Sequence, residues 1–206
     1  MKSFFAVFIQ FYAPDTAFAM VTGNQQNRAL AGAAVLILFV GVSPFLLSGN
    51  GVRFDLMVPV LVLMERAILA SAAGLAVYIL SFAIGGRKPL WPAVTTSFLS
   101  MGAFVFLVAV LAFLSYLLSL PPGFSWSPAE AMLNLPVTRL SVFTVVFSSR
   151  LDIASLVTVY LWGRGLSTGW DESTNFGQRL AWTVYLFGVL LLTLPVFIAP
   201  QGGEGG

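Results

Sequence analysis

The chain has no cysteine and no histidine. Disulfides and thiolate chemistry are therefore excluded, and so are Cys/His zinc sites. A Ser-His-Asp triad is excluded with them. Charge is scarce as well: Asp, Glu, Lys and Arg make up 9% of the 206 residues, against about 25% in an average soluble domain. A net charge of +2 with no basic run leaves no electrostatic footprint for nucleic acid.

Apolar residues are abundant, at 58% of the chain. A soluble fold of this length could not cover itself with so few charges, so lipid is expected to contact much of the surface. In hydrocarbon every backbone N–H and C=O must bond internally, which leaves helices or a closed barrel. The apolar runs are long and show no period-two alternation, which favours helices. The expected fold is all-α: a polytopic membrane bundle of about five transmembrane helices, preceded by a short N-terminal interfacial helix. Residues 1–28 form the N-terminal segment, 29–199 the five-helix domain and 200–206 a flexible Gly-rich tail.

Five segments are long enough to span about 30 Å of hydrocarbon. The first is Ala29–Leu47. The second ends at Ile84 and begins between Met57 and Ala67. The third is Ala93–Leu120, stopped by Pro121-Pro122. The fourth runs from about Val142 to Trp162. The fifth is Leu180–Ile198, with Pro195 near its end. With the N-terminus inside, Lys2, Arg28, Arg87, Lys88, Arg164 and Arg179 are cytoplasmic, and Arg53, Arg139 and Arg150 are outside. The excess of inner positive charge predicts a cytoplasmic N-terminus and an external C-terminus. Short loops fit a bacterial inner membrane.

Near the start, Lys2, the apolar Phe4–Ile9 and Ala17-Phe18-Ala19 imitate a signal peptide. Gln10 interrupts the apolar stretch, and cleavage after Ala19 would oppose the charge count. The expectation is an interfacial helix over Ser3–Tyr12, ended by Pro14, with its aromatics at headgroup level.

Charges inside apolar runs are costly there and often functional. Four stand out: Glu65, Arg66, Arg150 and Asp152. Residues one or two apart do not face each other on a helix, so cross-pairing is expected, Glu65 with Arg150 and Arg66 with Asp152. Arg66 lies about 27 Å from Ile84 and Asp152 about 15 Å from Trp162 by helical rise, so pairing needs tilt or a kink near Ser148-Ser149. A packing clamp and an ion or proton path are the two readings. Small residues form a second set: Ala29, Gly32 and Ala33 in the first span, Ala70 and Gly74 in the second. Such spacing lets helices approach closely, within one chain or between two.

The basic turn Gly85–Trp91 carries Arg87, Lys88 and Trp91, and a loop Gly163–Gln178 carries Arg164 and Trp170. These read as a cytoplasmic partner surface or as aromatic and basic anchors at the membrane face. Catalytic constellations do not assemble. Lys2 and Lys88, which a Ser-Lys dyad would need, sit in loops at the cytoplasmic side, and of the aspartates only Asp152 lies in a span. No enzyme activity and no cofactor are expected; the expected partners are membrane lipids and another membrane protein or a second copy.

Three stretches resemble the Yip-domain family of small membrane proteins, whose eukaryotic members are named for interaction with Ypt/Rab GTPases. Phe11-Tyr12-Ala13-Pro14-Asp15-Thr16-Ala17-Phe18 is similar to its proline-centred segment before the first span. Ala76–Gly86 leading into Trp91-Pro92-Ala93-Val94 is similar to its second span, glycine-containing turn and third span. Leu151–Leu166 resembles its fourth span, in which an acidic residue opens an apolar helix ending in glycine. The likeness covers most of the chain and is closest to short prokaryotic members. A long polar region before the first span is lacking. The resemblance implies five spans and a cytoplasmic N-terminus. The lack of catalytic constellations, the short loops and the tight-packing helices point to a non-catalytic scaffold or adaptor for protein or lipid contacts in membrane organisation or trafficking. A small transporter or channel subunit built on the four intramembrane charges is the alternative.

Overall fold

The computed structural model describes residues 5–20, 30, 32–33, 57–86, 88–120, 124, 126–132 and 139–198. Among these, all regular structure is helical. Two short helices come first, α1 (Ala6–Ile9) and α2 (Pro14–Ala19). Then follow α3 (Met57–Ile84), α4 (Leu90–Leu117), a 3-10 turn at Pro128–Met132, α5 (Arg139–Ser149), α6 (Ile153–Trp170) and α7 (Thr174–Ile198).

Among the described residues, three helices have the length and composition to cross a membrane: Leu63–Ile84, Leu90–Leu117 and Thr174–Pro195. The bent pair Val142–Ser149 and Ile153–Trp170 makes a fourth if it is one span. At about 1.5 Å per residue, the 28 residues of α3 exceed the hydrocarbon thickness of about 30 Å. The expected first span, 29–47, falls outside the described residues apart from Leu30, Gly32 and Ala33, as does the Gly-rich tail.

Three sequence expectations are corrected. First, Pro14 does not merely end a helix; it opens α2 at the first helical position, where its missing N–H has no intrahelical role. Residues 6–19 thus form two short helices in contact, and the helix before Pro14 covers Ala6–Ile9. Second, the fourth span is not continuous. It bends by 55° between Ser149 and Ile153, because Asp152 adopts an extended backbone and caps α6, its carboxylate accepting from the Ser155 N–H at 2.7 Å. Third, Gly163–Gln178 is not a loop. Helix α6 continues to Trp170, and Asp171 ends it in the left-handed conformation at φ 53°. The connection is short, and α7 begins at Thr174.

Helix α6 is the hub. It packs along α7 and α4, and α2 lies against it. Helix α3 packs on α4, α5 packs on α7, and α1 touches α2 and α4. One core cluster joins Ala6, Val7, Ala17 and Phe18 to Ala33 and Leu99. A second gathers Val77, Ala93, Val159, Trp162, Leu166, Trp170, Leu180 and Ala181. In lipid such clusters gain little by leaving water; they hold by close contact between small and large side chains. Gly165 shows how: a Cβ there would run into the ring of the buried Phe18, so α2 could not seat on α6.

Candidate functional site

The turn after α3, the start of α4, the end of α6, the start of α7 and helix α2 meet at one end of the bundle. Five contacts fasten them. The Arg164 guanidinium grips the Asp15 carboxylate with two nitrogens, Nε donating to Oδ1 at 3.1 Å and Nη2 to Oδ2. Its Nη1 donates to Thr174 Oγ1 at 3.2 Å. This fork geometry is the one that suits a carboxylate best. The Lys88 ammonium pairs with Glu172 and lies 5.8 Å from the centroid of the Phe176 ring. The Trp170 indole N–H donates to the Pro89 carbonyl at 2.9 Å.

Beneath this layer, α6 and α7 approach with glycine on both sides. A Cβ on Gly177 would collide with the Gly163 carbonyl and with Ser167, and a Cβ on Gly163 would meet Gln178. Ser167 Oγ lies 3.0 Å from both the Gly163 and the Ser173 carbonyls, which ties the end of α6 to the connection. Gln178 Nε2 donates to the Tyr160 carbonyl at 2.8 Å.

The residues expected to form a partner surface here divide. Lys88 and Arg164 hold ion pairs within the chain. Trp170 is a correction: it is 7% exposed and belongs to the second core cluster. The long loop assigned to it is helix, which turns the indole inward. Trp91 does stand out, at 63% exposure. Arg87 falls outside the described residues.

The intramembrane charges do not cross-pair. Arg66 Nη2 lies 3.9 Å from its own neighbour Glu65, and its guanidinium sits 5.8 Å from the Phe104 ring centroid. Asp152 is bound within its own helix, accepting from the Ser155 N–H and, at 3.0 Å, from the Ser155 hydroxyl. Arg150 is exposed, and its carbonyl accepts from the Tyr185 hydroxyl. Register explains the failure. Gly169 approaches Pro92 on α4; Asp152 stands about 26 Å from Gly169 along α6, whereas Phe104 stands about 18 Å from Pro92 along α4. The Arg66 and Asp152 levels therefore differ by about 8 Å, more than a helical turn.

The small residues fall inside the chain. A Cβ on Gly74 would press on the Val94 backbone at 2.9 Å, so α3 and α4 approach closely here, with Ala70 buried one turn away. Gly32 and Ala33 are buried, and the Ala33 Cβ would be 3.4 Å from a Cβ on Gly102 of α4. Ala29 falls outside the described residues.

No family model, curated protein or solved structure matches the chain.

Asp15, Glu172, Gln10 and Tyr185 take roles in the structure that the sequence reading did not assign to them. Gln10 is fully buried, its Nε2 donating to the Val7 carbonyl at 2.7 Å and the Leu99 carbonyl at 3.1 Å. A lone Gln breaking an apolar run was a visible signal; its role as a staple to α4 was not. Among the described residues no group of three acidic side chains could hold a metal ion.

Proposed function

We propose that the chain is a non-catalytic integral membrane protein of the Yip-like type, a scaffold or adaptor that works through protein or lipid contacts in membrane organisation or trafficking. In this reading it has five spans, with the N-terminus on the cytoplasmic side, the C-terminus outside and a bacterial cell membrane around it. The observation that carries the reading is how the polar end of the bundle is built. Asp15–Arg164, Lys88–Glu172 and Trp170–Pro89 each join one helix or turn to another, so these side chains serve to hold a shape. The apolar side chains that remain exposed, among them Ile79, Phe82, Phe113 and Leu192, are left for lipid or for another membrane helix.

The test is purification from native membranes in mild detergent, with mass spectrometry of the copurifying proteins and lipids. A reproducible stoichiometric protein, or a lipid enriched over the bulk membrane, supports the scaffold. A chain that comes alone with bulk lipid overturns it.

One observation favours a second reading, a small transporter or channel subunit. A helix broken at the level of a carboxylate, as at Ser149–Ile153, is a recurrent device in transporter sites. Flux through liposomes that is abolished in Asp152→Asn would move the assignment to transport.

A further inference from the structure

Glu65 and Arg66 are adjacent charges on an otherwise apolar helix. The Arg66 Nη2 to Glu65 Oε1 separation of 3.9 Å is too long for a hydrogen bond. The Phe104 ring, 5.8 Å away, steadies the guanidinium without occupying its N–H groups in the way an acceptor would. The Glu65 side chain is 58% exposed and that of Arg66 31%. Around them Leu61, Met64, Ile68 and Leu69 are exposed apolar side chains. The pair thus lies on a face that lipid would cover. Arg66 stands about 27 Å along the helix from Ile84, close to the full hydrocarbon thickness of about 30 Å. A guanidinium there reaches the far headgroup layer by extending its stem along the helix.

We propose that Glu65 and Arg66 together bind the head group of a zwitterionic phospholipid with a primary ammonium. The planar guanidinium takes the phosphate oxygens, for which its fork is shaped. The Glu65 carboxylate takes the ammonium, which lies two carbons from the phosphate in an ethanolamine head group. The order of charge on the protein, acid beside base, complements the order on the lipid. A quaternary choline ammonium has no N–H to donate, so the same site distinguishes the two head groups. The inference rests on the reading that α3 lies in a bilayer.

The test uses the full chain in nanodiscs containing equal phosphatidylethanolamine and phosphatidylcholine, transferred to mild detergent for native mass spectrometry. Wild type is expected to retain ethanolamine lipid over choline lipid by about tenfold, the ratio expected from one additional charge-assisted hydrogen bond. Glu65→Gln is expected to keep lipid but lose the preference. Arg66→Gln is expected to lose retention of both, and Arg66→Lys to fall between. Equal retention in wild type and all variants overturns the proposal. So does a dimer cross-linked through this face, which would assign the pair to a second copy. Matching helical circular dichroism and gel-filtration profiles confirm that the variants fold. Carbonate extraction separates the two layers of inference: a chain that stays in the membrane but shows no preference overturns only the headgroup site, and a chain released by carbonate overturns the membrane reading as well.

Discussion

Arg164 and Asp15 lie 149 positions apart and meet as a two-pronged ion pair between α6 and α2. With Thr168 Oγ1 also 3.4 Å from Asp15 Oδ1, α2 is held by one side of α6. Arg164→Gln should cost about 1 kcal/mol, because the pair is partly open to water. The local effect should exceed the global one. Hydrogen exchange over residues 6–19 is expected to rise about fivefold while that of α4 and α7 stays constant.

Asp152 separates two readings of one carboxylate. As an N-cap it can be replaced by Asn or Ser with little loss, whereas Asp152→Ala should lower stability by about 1 kcal/mol. Thermal melting in detergent measures this. A conduction role would be lost in Asp152→Asn, even though the cap survives that change.

Glycine substitutions should rank by what stands opposite. At Gly177 a methyl meets the backbone carbonyl of Gly163, which cannot rotate away, and Gly177→Ala should cost about 2 kcal/mol or more. At Gly163 the obstacle is the Gln178 side chain, which can turn aside, so the cost should be smaller. At Gly188 a Cβ would meet nothing within 4 Å, and Gly188→Ala should stabilise by up to about 1 kcal/mol. The ordering of the three melting temperatures checks the packing of α6 on α7.

Trp91 and Trp170 sit near the same end with opposite exposures, 63% and 7%. In variants retaining one of these tryptophans, quencher-labelled lipids or acrylamide should quench Trp91 strongly and Trp170 weakly. Trp170→Phe should also lose about 1 kcal/mol, since the Pro89 carbonyl forfeits its donor.

The long apolar runs of α3, α4 and α7 were legible because composition alone decides them, and each start or stop lay within several residues of the expectation. What composition could not place was any contact between distant segments. Cross-pairing of Arg66 with Asp152 was an inference from opposite charge; the depth of each residue depended on where Gly169 meets Pro92, which no local pattern encodes. The region Gly163–Gln178 read as loop because it is rich in glycine and charge. Those glycines instead admit Phe18, Pro92 and Gln178 against a continuous helix. Asp152 read as a charge within a span, although an acidic residue three positions before Ser155 was already a capping signal.

The seating of Phe18 against Gly165 has a consequence for the order of biosynthesis. Residues 6–18 leave the ribosome well before α6, yet the surface that receives them is completed only when α6 has been made. Helix α2 must wait for its seat through the synthesis of well over a hundred residues, although α1 can already meet α4. The docking of α2 is therefore a closing step of assembly, and a chain interrupted before residue 165 would keep that helix free for the insertion machinery, for chaperones or for proteases that recognise unfinished membrane proteins.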